Sequence, residues 1–330
     1  MRLLPAWLSI WLVAALLAAC APVIAPPGPP VVAPALQDDA IVAADGYRLP
    51  LRRWLPEGEP RVVVLGLHGF GDYSRAFEKA ALLWREQGVA TYAYDQRGFG
   101  ATATARRWAG VEAMIDDLAA AQTLVRRRHP TAKFVLMGES MGSALVMAAL
   151  AGGHVPDPDA TVLLGPAARG RETLGAVGRN GLWFIAHAIP WWPVSTVGMN
   201  YSPSDNIEML RELSRDPLVI KSPRVDLVWG LVDAMDAALE AAPKLKGPML
   251  VAYGARERVV PPAIMRNLVK RFPADPAIRF AVYDEGYHLL LRDLQAGRVQ
   301  EDVLAWMLDA AVPLPSGADR RAVEFFAEEE

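Results

Sequence analysis

The chain has 330 residues, 52% hydrophobic and 22% charged, enough to bury a large core in one or two domains. Its 34 Lys and Arg against 37 Asp and Glu leave a net charge of −3 at pH 7, and no basic stripe with interleaved aromatics runs along it, which argues against a nucleic-acid partner. A single cysteine excludes an intrachain disulfide, and no Cys/His cluster has structural-zinc spacing.

Met1-Arg2 is followed by LLPAWLSIWLVAALLAAC. A positive start, an apolar run and small residues at its end describe a signal peptide over 1–19, and the run falls short of the ~20 residues a spanning helix needs. Leu17-Ala18-Ala19-Cys20 resembles the bacterial lipobox and ends on the only cysteine. That resemblance implies cleavage before Cys20, lipid on its sulfur and attachment to the cell envelope. Ala21 stands where inner-membrane retention calls for aspartate, which points to the outer membrane, facing the periplasm. A plain signal peptide or anchor helix with an incidental cysteine is the alternative. The Pro-rich stretch APVIAPPGPPVVAP continues the 20–36 segment, which is expected to act as a semi-rigid spacer.

From residue 37 a strand–helix rhythm begins. Asp39 to Leu55 reads as two strands about an Asp45-Gly46 turn. Arg61 to Leu67 is a β-branched run of the kind buried on both faces. Helical spacing follows over Ala76–Gln87, a strand over Val89–Tyr94, a helix over Val111–Arg128, a strand over Lys133–Gly138, a helix over Gly142–Ala151 and a strand over Ala160–Gly165. The rhythm stops over 167–246, an interval with apolar patches but no clean strand. It resumes with a strand at Pro248–Tyr253, a helix at Ala263–Phe272, a strand at Ile278–Tyr283 and a helix at Val299–Val312. The pattern predicts an α/β fold, with a mostly parallel sheet covered on both faces. Its core spans 37–166 and 247–312 around an insertion, and 313–330 forms a polar, acidic tail with at most a short helix.

Gly138-Glu139-Ser140-Met141-Gly142 fits G-x-S-x-G and lies between a predicted strand and a predicted helix, the arrangement of a nucleophile elbow. Gly138 and Gly142 are small because the turn is tight, and the helix directs its positive end at developing negative charge. A serine hydroxyl attacks only if a base takes its proton. Among His68, His129, His154, His187 and His288, only His288 follows the last strand, where the order nucleophile, acid, histidine places the base. His68-Gly69 follows the third strand directly. His68 is expected to brace the loop, Gly69 to let the backbone approach substrate, and the N–H groups of Phe70 and Met141 to form an oxyanion hole.

His68-Gly69-Phe70-Gly71-Asp72-Tyr73-Ser74, Asp95-Gln96-Arg97-Gly98-Phe99-Gly100, Gly138-Glu139-Ser140-Met141-Gly142 and Tyr287-His288, in this order, resemble the α/β-hydrolase superfamily. The similarity is to its monoacylglycerol lipase and lysophospholipase branch, also labelled serine-aminopeptidase-like. It covers about Asp39 to Val312. It implies an eight-stranded sheet, a cap inserted after the sixth strand, and serine esterase chemistry without metal or cofactor. In that family the strand before the triad acid ends Gly-x-x-Asp-x-Val-Val-Pro. Here the stretch reads Gly254-Ala255-Arg256-Glu257-Arg258-Val259-Val260-Pro261, so Glu257 stands where the family has aspartate. Glutamate serves as triad acid in some α/β-hydrolases. Asp284 is the substitute, Asp233 a more remote one. Arg256 and Arg258 are expected to face solvent, and Asp95 and Arg97 to stabilise a loop.

The insertion carries Trp183, Phe184, Ile185, Ile189, Trp191, Trp192, Trp229, Leu231, Met235 and Leu239. Part of this set is core of the cap. The rest suits an acyl pocket and, at Trp191-Trp192, a membrane-interface contact. The sequence therefore reads as a lipid-anchored serine hydrolase acting on small-molecule lipid esters such as monoacylglycerols or lysophospholipids. The alternatives are a thioesterase, amidase or peptidase with the same triad, and a non-catalytic lipid-binding protein of the same fold.

Overall fold

The computed structural model describes residues 22–195 and 202–327. The stretch expected to be a signal peptide, Cys20 and Ala21 lie outside the described residues. Nine strands form one sheet: β1 (Ala35–Leu36), β2 (Ala40–Val42), β3 (Arg48–Trp54), β4 (Val62–Leu67), β5 (Val89–Tyr94), β6 (Lys133–Glu139), β7 (Ala160–Leu164), β8 (Met249–Gly254) and β9 (Ile278–Tyr283). Their order is β1-β2-β3-β5-β4-β6-β7-β8-β9. The first three and the β3–β5 pair are antiparallel, and every later pair is parallel. The eight expected strands correspond to β2–β9, and β1 adds a two-residue ninth from within the expected spacer.

The β-branched run of β4 shows why the parallel strands are apolar throughout. Val63, Leu65 and Leu67 enter one core, and Val62 and Val64 enter the other. Helices α1 (Glu78–Arg85), entered through a 3-10 turn at Ser74–Phe77, and α8 (Ala296–Leu308) cover the second face through Phe77, Trp84, Val303 and Trp306. The first face is covered by α2 (Val111–Arg128), α3 (Met141–Ala151), α6 (Val225–Ala241) and α7 (Pro262–Val269). Trp84 is fully buried, yet its indole N–H still finds the Gln300 carbonyl at 2.9 Å. Burial of side chains this large supplies about 1.5–3 kcal/mol each against exposure.

The interval between β7 and β8 contains α4 (Gly175–Ala188), α5 (Ile207–Arg215) and α6. These helices belong to different layers. Helix α6 is a core helix packed along α3, with Leu227, Ala234, Ala238 and Leu239 buried. Gly230 sits against the Trp108 indole, in space that a Cβ would overlap. Leu231 and Met235, grouped in the sequence with a cap pocket, pack on the same core. Helix α4 and the residues after it expose Val177, Trp183, Phe184, Ile185, Trp191 and Trp192.

The first and last described segments are held more closely than their compositions suggest. Residues 313–330, expected as a polar tail, include helix α9 (Ala318–Ala327), which packs on β9. Ala318, Ala322 and Phe325 are buried at helical spacing, and Phe326 meets Phe280 edge-on. At the other end the Pro-rich stretch lies on the body. Ala25 N–H donates to the Trp108 carbonyl at 2.7 Å, Gly28 N–H to Asp45 at 3.1 Å, and Val31 N–H to the Ala44 carbonyl at 2.7 Å. Proline offers no donor of its own, so the bonds come from the residues between the prolines. A protein beginning at Pro22 is expected to unfold roughly 2–5 °C above one beginning at Ala35, reflecting about 1–2 kcal/mol of lost hydrogen bonding. Scanning calorimetry reads this, and equal Tm values would show that the segment adds no stability.

Candidate active site

Ser140, Glu257, His288 and the His68 loop each lie at or beyond the carboxyl end of a parallel strand. The chain leaves β6 at Glu139 and enters α3 at Met141, so Ser140 alone makes the turn. It does so at φ 54° and ψ −113°, a backbone region that costs a non-glycine residue about 1–3 kcal/mol. The flanking glycines make the turn possible. A Cβ on Gly138 would overlap the Ser143 backbone, and one on Gly142 would overlap the Leu67 carbonyl. Ser143 Oγ donates to the Gly138 carbonyl at 2.7 Å and Ser140 N–H to that of Leu164 at 2.8 Å, which holds the turn to β7. Ser140 remains 9% exposed at the tip.

His288 lies beyond β9. Its Nε2 is 2.9 Å from Ser140 Oγ, and its Nδ1 is 2.5 Å from Glu257 Oε2. Glu257, in the loop after β8, is buried, and its other oxygen accepts the N–H groups of Val259 at 2.5 Å and Val260 at 3.1 Å. The carboxylate is therefore held from both sides, which settles the imidazole proton on Nδ1 and leaves Nε2 as an acceptor for the serine hydroxyl. Burial pushes the Glu257 carboxyl up, but the charge and hydrogen bond of His288 and the two backbone donors outweigh it and leave it below the usual carboxylate value. Burial pulls His288 down, while the charge and hydrogen bond of Glu257, with the charge of Glu139, leave it above the ordinary histidine value.

The other carboxylates are elsewhere. Asp284 is exposed and bonded to Arg321 at 2.8 Å, and Asp233 pairs with Arg171 at 2.6 Å. Arg256 and Arg258 are exposed, and Arg256 pairs with Glu285 at 2.7 Å. Of the remaining histidines, His129 bonds the Tyr92 hydroxyl at 2.8 Å, His154 is exposed, and His187 stacks on Trp183 with ring centroids 4.4 Å apart.

The loop after β4 closes the site from the other side. His68 is fully buried. Its Nε2 accepts the Gln96 N–H at 3.1 Å, so its Nδ1 is the donor to the Gly69 carbonyl at 2.8 Å. Burial lowers the His68 pKa, in keeping with a neutral brace. A Cβ on Gly69 would come to 3.3 Å from Ser140 Cβ, so the backbone here runs beside the serine. Among the described residues, neither the Phe70 N–H nor the Met141 N–H donates to a protein carbonyl. Asp95 accepts the N–H groups of Ser74 at 3.0 Å and Ala101 at 2.9 Å, and Arg97 bridges Asp45 and Asp117. Both are loop scaffolding.

This strand-end geometry accompanies a family match. Residues 58–295, well over half of the chain, match the family model described as serine aminopeptidase, S33. The chain belongs to this family of α/β-hydrolases. It is 26% identical over 275 residues to the monoacylglycerol lipase of Mycolicibacterium smegmatis, covering 82% of this chain and 96% of the relative. The human monoglyceride lipase is 23% identical over 265 residues, with 77% and 84% covered. Among solved structures, the Paleococcus ferrophilus monoacylglycerol lipase superposes with a TM-score of 0.63 at 21% identity, covering 80% of this chain and 99% of that one. A soluble variant of the Saccharomyces cerevisiae monoglyceride lipase gives 0.67 at 18%, covering 87% and 97%. These likenesses establish the α/β-hydrolase fold.

One part of this hydrolase's site carries no short sequence signal. Arg292, four residues after His288, donates to Asp72 at 2.6 Å and to Glu139 at 2.7 Å, and all three are buried. Next to it, Asp293 accepts Ser204 Oγ at 2.6 Å and the Tyr287 N–H at 2.7 Å, and Asn206 donates to the Arg292 carbonyl at 3.0 Å. The inserted segment is thereby stitched to the histidine loop. Only the facing charges in space, not their spacing along the chain, reveal this cluster.

The geometry makes the acid assignment testable with a fluorophosphonate probe that labels a reactive serine. Glu257→Gln is expected to slow labelling roughly a thousandfold or more, because the imidazole loses its orientation and charge partner. Asp284→Asn should leave the rate within about twofold, as for an exposed residue away from the chemistry. A protonated His288 cannot accept the serine proton, so labelling should fall with pH below a midpoint above the usual ~6.5 of histidine. A midpoint at or below that value would show that Glu257 does not support the imidazolium.

Proposed function

We propose that this hydrolase cleaves carboxylic esters of lipids, of the monoacylglycerol or lysophospholipid class, with Ser140 as nucleophile, His288 as base and Glu257 as acid. The observation that carries the reading is the continuous hydrogen-bonded line from Glu257 through His288 to Ser140. Ser140 Oγ attacks the ester carbonyl as its proton passes to His288 Nε2. The carbonyl oxygen becomes an oxyanion beside the Phe70 and Met141 N–H groups, where the N-terminus of α3 adds favourable field. Collapse expels the alcohol, which takes the proton from His288 and leaves an acyl-enzyme on Ser140. A water deprotonated by His288 then attacks the acyl carbon, releasing the fatty acid and restoring the serine.

Two kinds of support favour lipid esters over the amide bond in the family's description. The curated relatives named above are called monoacylglycerol or monoglyceride lipases. The inserted segment also exposes Trp191 at 54% and Trp192 at 58%, a boundary-loving pair beside an exposed aromatic helix. A non-catalytic binder of this fold would have no need of a serine at positive φ hydrogen-bonded to a carboxylate-backed histidine.

The N-terminal reading belongs to the same proposal. Lipid on Cys20 would tether the hydrolase to the outer membrane, near a supply of acyl esters. Palmitate labelling of wild type that disappears in Cys20→Ala is the expected outcome. Unlabelled, soluble mature protein would remove the anchor.

Hydrolysis of p-nitrophenyl esters from short to long acyl chains tests the chemistry. Wild type should turn over and Ser140→Ala should lose roughly a millionfold in kcat, the loss expected for a missing nucleophile. Folded wild type with no esterase activity would shift the assignment to another acyl bond or to binding alone. Trp191→Ser with Trp192→Ser should lower activity on micellar esters at least several-fold more than on soluble ones. Equal loss on both would remove the interfacial role.

A further inference from the structure

We propose that Arg292 is a positioning residue: by bridging Asp72 and Glu139 it holds the oxyanion loop, the serine turn and the histidine loop in one register. The inference rests on the assignment of Ser140 and His288 made above.

The oxyanion loop, the serine turn and the histidine loop each supply one member of the cluster. Asp72 lies three residues after Gly69, Glu139 directly before Ser140, and Arg292 four residues after His288. The Arg292 Nη1 reaches Asp72 Oδ2 at 2.6 Å, and its Nη2 reaches Glu139 Oε1 at 2.7 Å. A planar guanidinium can serve two carboxylates at once from a fixed fork, which an ammonium cannot. Asp72 also accepts the Tyr73 N–H at 2.8 Å, so the grip extends into the oxyanion-loop backbone. Any shift of one loop against another must break a charge-assisted bond out of contact with bulk water.

A purely structural cluster would not need charge, since apolar groups of similar volume hold buried loops together at least as well. Here one cation faces two carboxylates, which leaves one negative charge uncompensated. Among the described residues, the buried Glu139 Oε2 has no hydrogen-bond partner of its own. That charge favours an imidazolium at His288 while Arg292 opposes one, so the pair sets how readily His288 gives up and regains its proton. The other charged group set against His288 is Glu257, from the loop after β8, and Asp293 lies five residues further along the histidine loop. Burial raises the Asp293 carboxyl to about 6. It must therefore be separated in any test.

The test follows the His288 imidazole carbon by NMR across pH in 13C-histidine-labelled full-length protein, assigned by its loss in His288→Asn. Glu139→Gln keeps an acceptor for Arg292 and preserves the packing. It should lower the His288 midpoint by roughly half a pH unit or more. Arg292→Gln should raise the midpoint, and the double variant should return it toward wild type. Asp293→Asn supplies the control for the neighbouring titration. A folded Glu139→Gln protein whose midpoint stays within about 0.2 unit of wild type would overturn the electrostatic role. In ester turnover, Arg292→Lys should lower kcat roughly tenfold or more with KM within about twofold, as expected for displaced catalytic groups. Unchanged kcat would overturn the positioning role. The titration needs no substrate, so a protein that hydrolyses no ester would fail the functional proposal while still deciding whether Glu139 and Arg292 govern His288.

Discussion

The site depends on a single backbone constraint: Ser140 must hold a positive φ at the end of β6. No side chain prefers that conformation, so the surroundings must impose it. They do so through two glycines that let the backbones of β4 and α3 close around the turn, and through bonds from Ser143 and Ser140 to the β6 and β7 carbonyls. The helix then starts directly behind the hydroxyl. Strand pairing, helix polarity and the exposure of the Ser140 hydroxyl are consequently one arrangement, and none of them can be altered without the others.

The Glu257 carboxylate is the second constraint. It reaches His288 with one more methylene than an aspartate would have, and a longer side chain has more ways to point. The structure removes that freedom by giving one carboxylate oxygen to two successive backbone N–H groups, which leaves the other only the imidazole. Tyr253 adds to this by donating to the Val260 carbonyl at 2.8 Å, bracing the turn that presents those N–H groups. The longer acid is thus accommodated in the loop, while the histidine keeps a 2.9 Å approach to Ser140.

What could be read from the sequence follows the range over which each signal acts. The serine turn, the histidine after the last strand and the acid after β8 sit in short local patterns tied to strand ends. The parallel strands announced themselves because burial on both faces demands unbroken apolar runs. Helix α6 was less legible. It lies within the interval that resembles a cap, and its apolar side chains suit a pocket as well as a core. Only its packing on α3, with Gly230 against Trp108, assigns it. The charges of the last eighteen residues masked a three-residue apolar seam, Ala318, Ala322 and Phe325. Arg292 was not legible at all, because its partners lie 220 and 153 residues away along the chain.

The N-terminal segment connects these features. Its backbone bonds to the Trp108 carbonyl, and the Trp108 ring packs on Phe99 with centroids 6.5 Å apart. Phe99 in turn meets both Phe70 and His68 at 5.6 Å. An aromatic column therefore runs from the edge where the chain enters the fold to the loop beside Ser140.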